Sequence, residues 1–120
     1  MVFKTALVLD DDGTWRDIIS RQLEQHYQGI KVTEVGSAAE AKEKVTKIQQ
    51  YDLYTLCGLR GDWKDVAQHI RSLQSDAKIV LFSATPNQYG WGVDARDLRV
   101  PVFDKEDVLT TVPKLEKFLA

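Results

Sequence analysis

The sequence predicts a single α/β domain built around a parallel β-sheet. Five short apolar runs alternate with longer segments in which apolar residues recur every three or four positions. This alternation is typical of β-α units that pack on both faces of a parallel sheet. The chain has 120 residues, 43% of them apolar, which suffices for one compact core and is too little for two. We therefore expect one domain spanning residues 1–120.

The apolar runs predict five strands and their order in the sheet. They cover residues 6–9, 30–35, 53–56, 79–82 and 100–103. The runs "ALVL" and "IVLF" are continuously apolar, as is typical of central strands, whereas "IKVTEV" alternates apolar and polar residues. The last run, "VPVF", holds Pro101, which is tolerated at a sheet edge. Strands two and five at the edges favour the order 2-1-3-4-5 of a doubly wound, flavodoxin-like (βα)5 sheet.

Four amphipathic helices are predicted from apolar stripes of helical period. The first follows Asp12 or Thr14 as its N-cap. The second begins with a capping box of Ser37 and Glu40, and the third starts near Asp62. The stripes are Trp15, Ile19, Leu23 and Tyr27 in the first helix, Ala38, Ala41, Val45 and Ile48 in the second, Trp63, Val66, Ala67, Ile70 and Leu73 in the third, and Val108, Val112, Leu115 and Leu119 in the last.

Proline and glycine interrupt two helical segments. Pro113 is expected to kink the last helix or to delay its start, because proline removes a backbone donor and clashes with the preceding turn. The segment between strands four and five, "TPNQYGWGVDARDL", contains Pro86, Gly90 and Gly92. Any helix in that segment should therefore be short or irregular.

Composition argues against several classes of function. The net charge is -2 and the charges are interspersed, so the basic excess of a nucleic-acid-binding module is missing. No apolar run approaches membrane-spanning length, and three aspartates follow "MVFKTALVL" before it could serve as a signal-peptide core. The lone Cys57 can form neither an internal disulfide nor a zinc site built from cysteines. We expect a cytoplasmic protein that binds neither nucleic acid nor membrane.

Polar residues follow four of the predicted strands. Three aspartates, 10–12, come after strand one, and Cys57 comes after strand three. Ser83 follows strand four and Lys105 follows strand five. In a doubly wound sheet, sites lie outside the carboxyl ends of the strands. Carboxylates can hold Mg²⁺ there, while a hydroxyl and an ammonium take phosphate oxygens, so the pattern predicts a pocket for a phosphoryl group and a hard cation.

At these residues the chain resembles, over nearly its whole length, the receiver domains of two-component response regulators. The resemblance rests on "LVLDDD", "YDLYTLC", "VLFSA" and "VFDKE" in this order, and on the spacing between Ser83 and Lys105. It implies that Asp10 and Asp11 form the acidic pocket that binds Mg²⁺. It implies further that Ser83 senses the phosphoryl group and that Lys105 pairs with it. The implied role is signal transduction in a phosphorelay.

One position breaks the pattern of that family. The phosphoacceptor aspartate would fall at position 57, where this chain has Cys57. Because Mg²⁺ does not favour sulfur, we expect weak Mg²⁺ binding by Asp10 and Asp11 at most, and no required cofactor. Loss of one acid from a cluster of like charges also relieves repulsion. We therefore interpret the chain as a pseudo-receiver without enzymatic activity, which signals by protein contact without phosphorylation at this position.

The resemblance also implies where a partner binds, namely on the fourth segment, strand five and the last helix, from Tyr89 to Leu119. The partner would be a kinase, another regulator or a fused output domain. Glu106 replaces the proline that usually follows the lysine, and Val102 replaces the usual switch aromatic. Tyr89 and Trp91 lie on the irregular fourth segment, where they either pack over the core or anchor the partner. Tyr89, Trp91 and Val102 are our candidate partner-binding residues.

A phosphatase is the first alternative. The stretch "LVLDDDGT" has the D-x-D-G-T pattern of haloacid dehalogenase-like phosphatases, in which Asp10 would be the nucleophile and Asp12 the general acid/base. Ser83 and Lys105 would fit the second and third motifs of those enzymes. Their fourth motif, an acidic pair at a further strand end, is missing because the residues after Lys105 read as a helix. The receiver interpretation is therefore preferred.

A redox switch is the second alternative. It keeps the receiver fold and makes Cys57 a reactive thiol. Lys105 would lower the pKa of Cys57 and the neighbouring aspartates would raise it, so the sequence leaves the reactivity of the thiol open. We favour an inert small residue in the place of the acid. His26 and His69 have no second ligand at a useful spacing and are expected on helix surfaces.

Overall fold

Five parallel strands form a single sheet in the order β2-β1-β3-β4-β5. The computed structural model describes residues 3–59, 62–84 and 91–119, and of residues 91–93 it describes only the backbone. The strands are β1 (Thr5–Leu9), β2 (Lys31–Val35), β3 (Leu53–Cys57), β4 (Ile79–Ser83) and β5 (Val102–Asp104). The predicted fold class, strand order and edge strands are confirmed.

The predicted start of the last strand is wrong by two residues. β5 begins at Val102, after Pro101, rather than at residue 100. Pro101 has no N–H to donate to a neighbouring strand, although its carbonyl accepts a hydrogen bond from the Leu81 N–H at 2.9 Å. The proline therefore supports the edge of the sheet from just outside the strand.

Helices cover both faces of the sheet. They are α1 (Gly13–His26), α2 (Ala38–Lys44), α3 (Trp63–Leu73), α4 (Trp91–Asp97), α5 (Val108–Thr111) and α6 (Leu115–Phe118). A 3₁₀ turn, Lys105–Asp107, precedes α5, and a second, Val112–Lys114, separates α5 from α6. Pro113 lies in the second turn, so the predicted kink takes the form of a break. The seven-residue α4 agrees with the short helix expected from the proline and glycines of this segment of the sequence.

Alternate residues of the strands supply two separate cores. In β1, Leu7 and Leu9 face one way, and Ala6 and Val8 face the other. The first face packs against α2, α3 and α4 through residues such as Ala41, Trp63, Ile70 and Ala95. The second face packs against α1, α5 and α6 through Ile19, Leu23, Val108 and Leu115. β3 and β4 are buried along their whole length, which holds their carboxyl ends in fixed positions.

The predicted burial of Ile48 is wrong. Helix α2 ends at Lys44, and the backbone of Val45 is extended, with φ -98° and ψ 110°. The Thr46 hydroxyl then accepts hydrogen bonds from the N–H groups of Ile48 and Gln49 at 3.3 and 3.0 Å. A threonine side chain that binds nearby backbone donors competes with helix continuation. Ile48 consequently lies in a turn, and 97% of its surface is exposed.

Side-chain caps set the starts of the first two helices. Asp12 is the N-cap of α1, where its Oδ1 accepts hydrogen bonds from the N–H groups of Thr14 and Trp15 at 2.8 and 3.4 Å. Ser37 caps α2 by accepting a hydrogen bond from the Glu40 N–H at 3.2 Å. Asp62 occupies the N-cap position of α3 without a side-chain hydrogen bond to that helix. These caps fix the loops that surround the carboxyl edge of the sheet.

The two histidines lie on helices, as expected. His26 is exposed in the last turn of α1. His69 lies on α3, and its Nε2 is 2.9 Å from the carbonyl oxygen of Val45. Within the part of the chain that is described, no helix combines the length and the hydropathy that crossing a membrane requires.

Candidate functional site

The predicted site residues meet at the carboxyl edge of the sheet. Asp10 directly follows β1, Cys57 ends β3, Ser83 ends β4 and Lys105 directly follows β5. All four are buried, with exposed fractions of 0%, 1%, 2% and 9%. Parallel register places Ser83 beside Asp104, the residue before Lys105. The fold therefore brings residues from four separate strand ends to one edge of the sheet, here called the pocket, while their individual roles stay predictions.

Asp10 carries a fully buried carboxylate at the centre of this pocket. Its Oδ1 accepts a hydrogen bond from the N–H of Asp12 at 2.9 Å. Its Oδ2 lies 2.9 Å from the Nζ of Lys105, so the two side chains form an ion pair. That approach lacks the alignment of a hydrogen bond, and Oδ2 accepts none from the described residues. The lysine compensates the buried charge without fully satisfying the oxygen.

Lys105 is held between Asp10 and an aromatic ring. Its Nζ lies 5.6 Å from the ring centroid of Trp15, within the range of a cation–π contact. The 3₁₀ turn that begins at Lys105 is capped by Asp104, whose Oδ1 accepts a hydrogen bond from the Glu106 N–H at 2.9 Å. The lysine side chain is only 11% exposed. A capped turn, an ion pair and a ring therefore fix the ammonium group in the pocket.

Cys57 points its sulfur into the same pocket. The thiol donates a weak hydrogen bond from Sγ to Oδ1 of Asp11 over 3.9 Å. The pKa of the Cys57 thiol is raised from 9.0 to about 12. The largest cause is burial, and the second is the negative charge of Asp10. Lys105 lowers that pKa, but its effect is smaller. The thiol is therefore protonated at neutral pH and is a poor nucleophile.

We expect Cys57 to react very slowly with thiol reagents in the folded protein. A pKa of about 12 in place of 9.0 implies a thiolate fraction about a thousandfold smaller at pH 8. Labelling with iodoacetamide should therefore be at least about a thousandfold slower in buffer than in denaturant. The measurement is mass spectrometry over time under both conditions. Rapid labelling of the folded chain would instead support the redox alternative.

Among the described residues, three potential metal ligands lie in the acidic part of the pocket. Asp10, Asp11 and Cys57 each offer one ligand atom, and these atoms lie within 4.8 Å of one another. Mg²⁺ requires near-ideal octahedral coordination by oxygen. Mg²⁺ is commonly held by one or two carboxylates with water in the remaining positions, so Asp10 and Asp11 offer suitable oxygen ligands. The Cys57 sulfur is the one ligand of this cluster that does not suit Mg²⁺.

Two residues contribute to the pocket in ways that the sequence did not indicate. Trp15 has the spacing of the core stripe of α1, but its ring contacts Lys105. Arg16 donates a hydrogen bond from Nη1 to the backbone oxygen of Asp10 at 2.8 Å, and its Nε lies 3.4 Å from Oε1 of Glu34. Gly36 leaves room for this guanidinium, because a Cβ there would lie 3.2 Å from Nη1. The one available signal was that α1 starts directly after the aspartates.

Asp12 makes different contacts from Asp10 and Asp11. Its carboxylate accepts hydrogen bonds at the N-terminus of α1. It is therefore already engaged as a helix cap, whereas the phosphatase alternative needs it as a general acid/base. This geometry does not favour that alternative.

The candidate partner surface is only partly described. Tyr89 lies outside the described residues, and Trp91 begins α4 with its backbone alone described. Val102 is half-buried at the start of β5 and packs against the core that α2, α3 and α4 cover. The partner-binding role of these three residues stays a prediction.

Comparison with known proteins identifies the fold. No family model matches the sequence, and no curated protein matches it. The response regulator TrrA of Thermotoga maritima, solved with Mg²⁺-BeF, is 26% identical with a TM-score of 0.76, covering 96% of this chain and 98% of that one. The response regulator domain of Thermotoga maritima CheB is 14% identical with a TM-score of 0.79, and the match covers 99% of this chain and 97% of that one. A receiver domain protein of Methanospirillum hungatei is 18% identical with a TM-score of 0.74, and the match covers 96% of this chain and 95% of that one. The chain therefore has the CheY-like receiver-domain fold of the response regulators.

Proposed function

We propose that this chain is a signalling domain that acts by contact with a protein partner and is not phosphorylated at position 57. The observation that carries the proposal is the buried thiol of Cys57, which is 1% exposed and has a pKa of about 12. By the resemblance, this thiol stands where a receiver domain has its phosphoacceptor aspartate. We propose no enzymatic activity and no required cofactor.

The chemistry of the pocket supports this proposal. Phosphoryl transfer depends on a positioned nucleophile and on positive charge that neutralises the transferred group. A protonated, buried thiol is a poor nucleophile, and the pocket offers Mg²⁺ only the carboxylates of Asp10 and Asp11. Any Mg²⁺ binding there should be weak.

The ion pair between Asp10 and Lys105 supports independence from metal. In an acidic pocket with no cation, repulsion between carboxylates destabilises the fold. Here the Lys105 ammonium is 2.9 Å from Oδ2 of Asp10 and supplies the opposite charge from within the chain. The pocket thus has internal compensation that does not depend on phosphorylation or on a bound ion.

The proposed contact surface runs from residue 89 to residue 119 and comprises α4, β5, α5 and α6. It includes Tyr89, Trp91 and Val102. Two large apolar side chains on its described part are exposed, Leu109 by 62% and Phe118 by 48%. Exposed apolar side chains close to the face through which receiver domains contact their output partners are suitable anchors for a protein partner. The partner would be a kinase, another regulator or a fused output domain. We propose that the contact forms in the cytoplasm and involves neither nucleic acid nor membrane.

Binding measurements on a panel of purified histidine kinases and response regulators from the same host test this proposal. The chain should bind at least one member, and acetyl phosphate with Mg²⁺ should leave the affinity unchanged. Trp91→Ala and Leu109→Ser should each weaken binding about tenfold or more. The matched control is Ile48→Ser, which changes an exposed apolar residue in the turn after α2. Binding that requires the phosphodonor, or that tolerates both surface variants, would contradict the proposal.

A further inference from the structure

A cleft with two arginines in its lining lies at the amino edge of the sheet, where β4 and β5 begin. Its volume is about 310 Å³, which suits a small ligand. Arg71, Lys78 and Arg99 line it with three cationic side chains, and Asp76 is the one carboxylate among its described lining residues. Phe118, which is 48% exposed, adds an aromatic wall. This space, here called the arginine cleft, is therefore positively charged in a chain whose net charge is -2.

The two guanidinium groups converge on one backbone oxygen. The carbonyl of Ser75 accepts hydrogen bonds from Nη1 of Arg71 at 3.3 Å and from Nη2 of Arg99 at 2.8 Å. Among the described residues, neither arginine forms an ion pair with a carboxylate. Burial and then the charge of Arg99 lower the pKa of Arg71, and the opposing effect of Asp76 is smaller. The two cations therefore repel each other without a paired anion in the described part of the chain.

Backbone oxygens fix the position of Arg71. Its Nε donates a hydrogen bond to the carbonyl of Leu98 at 3.0 Å, and its Nη2 donates one to the carbonyl of Arg99 at 3.0 Å. Its Nη1 also donates to the carbonyl of Ala77. One N–H of Nη2 has no acceptor among the described residues. Carbonyl groups carry no net charge, so the positive charge of this fixed guanidinium remains available to an anion.

Arg99 occupies a backbone position that normally belongs to glycine. Its φ is 58°, in the left-handed region that residues with a Cβ rarely adopt. The Arg99 N–H donates to the Arg96 carbonyl at 3.1 Å, and the next N–H donates to the Ala95 carbonyl at 2.7 Å. This pattern is the Schellman motif at the end of α4, in which glycine is the usual left-handed residue. A strained arginine at this point indicates that its side chain has a use beyond ending the helix.

We propose that the arginine cleft binds a small phosphate monoester, with the phosphate between Arg71 and Arg99 and the apolar part of the ester against Phe118. Guanidinium groups bind phosphate through parallel N–H bonds. Two of them, together with the ammonium of Lys78, suit a phosphate dianion better than a singly charged carboxylate. A phosphate in this place also offsets the repulsion between the two arginines. The proposal does not depend on the signalling role, and either can fail without the other.

Amide NMR titration of the full chain with phenyl phosphate tests this site. Phenyl phosphate joins a phosphate monoester to an apolar ring, whereas inorganic phosphate lacks the ring and benzoate replaces the phosphate by a carboxylate. Phenyl phosphate should shift the amide signals of residues 75–78 and 99, and it should bind more tightly than the other two probes. Absence of phenyl phosphate binding, or equal or tighter binding of either other probe, would overturn the proposal.

Two variants of Arg99 separate a binding role from a structural one. Arg99→Gln removes the charge and should weaken phenyl phosphate binding at least about tenfold, because hydrogen bonds between charged groups are the strong ones. Arg99→Gly also relieves the left-handed strain, so it should weaken binding as much while the midpoint of urea denaturation stays unchanged or rises. An arginine kept only for the fold would instead lower that midpoint and leave the affinity unchanged, which would overturn the proposal.

Arg96→Gln is the matched control for Arg99→Gln. Arg96 is exposed on α4 and does not line the arginine cleft. Its substitution makes the same change in net charge, so it should leave the affinity for phenyl phosphate as in the wild type. Equal losses of affinity in the two variants would overturn the proposal, because they would show attraction by the overall charge rather than by a site.

Discussion

The Cys57→Asp variant is expected to gain one phosphoryl group on incubation with Mg²⁺ and acetyl phosphate. The substitution places a third carboxylate at the end of β3, beside Asp10 and Asp11. An all-oxygen set suits Mg²⁺, and a carboxylate at this position would be the nucleophile. The measurement is intact mass, followed by peptide digestion to locate the group on residue 57.

The same variant should be less stable than the wild type in the absence of metal. A further carboxylate in this pocket adds like-charge repulsion and costs about 1–3 kcal/mol of unfolding free energy. Because Mg²⁺ would bind only the folded state, adding it should restore part of the loss in urea denaturation. Cys57→Ser is the control and should show neither phosphorylation nor a response to Mg²⁺. A Cys57→Asp chain that resists phosphorylation would show that more than position 57 has departed from the family.

Removal of the Lys105 ammonium is expected to be the most destabilising single change in the pocket. Lys105→Met leaves the carboxylate of Asp10, which is 0% exposed, without its counter-charge. Breaking a buried ion pair by removing one partner typically costs about 3–5 kcal/mol, because an uncompensated charge is left behind. Urea denaturation at neutral pH measures the effect, with methionine chosen to keep most of the apolar stem.

A surface pair provides the matched control for Lys105→Met. Lys64 lies 3.0 Å from Asp94, and both side chains are more than a third exposed. Exposed pairs contribute about 0–1 kcal/mol, so Lys64→Met should have a small effect. Equal losses in the two variants would contradict the argument that burial makes the Asp10–Lys105 pair important for stability.

The sequence predicted the sheet because its signals are local. Continuous apolar runs in β1 and β4 indicate strands buried on both faces, and Pro101 indicates an edge. Because parallel strands end at the same edge of the sheet, the predicted strand ends are enough to place Asp10, Cys57 and Lys105 together at that edge. Burial of Ile48 was not predictable from helical period, since the Thr46 hydroxyl ends the helix through hydrogen bonds that form only in the folded turn.

The contacts inside the pocket needed the structure. Trp15 has the spacing of a core residue, and only the packing of α1 beside the turn at Lys105 brings its ring to the ammonium. The pKa of Cys57 also depends on competing contributions, in which burial and Asp10 outweigh Lys105. Sequence gives the sign of each charge but neither the burial nor the distances. The reactivity of the thiol therefore depends on the pocket geometry and does not follow from the sequence.

Intact mass of the wild-type chain after incubation with Mg²⁺ and acetyl phosphate tests the central claim most directly. The buried, protonated thiol of Cys57 predicts an unchanged mass under conditions in which Cys57→Asp is modified. Peptide digestion then locates any group that is gained. A phosphoryl group on Cys57 would contradict the account by making the thiol an acceptor, and one on Asp10 would contradict it in favour of a phosphatase.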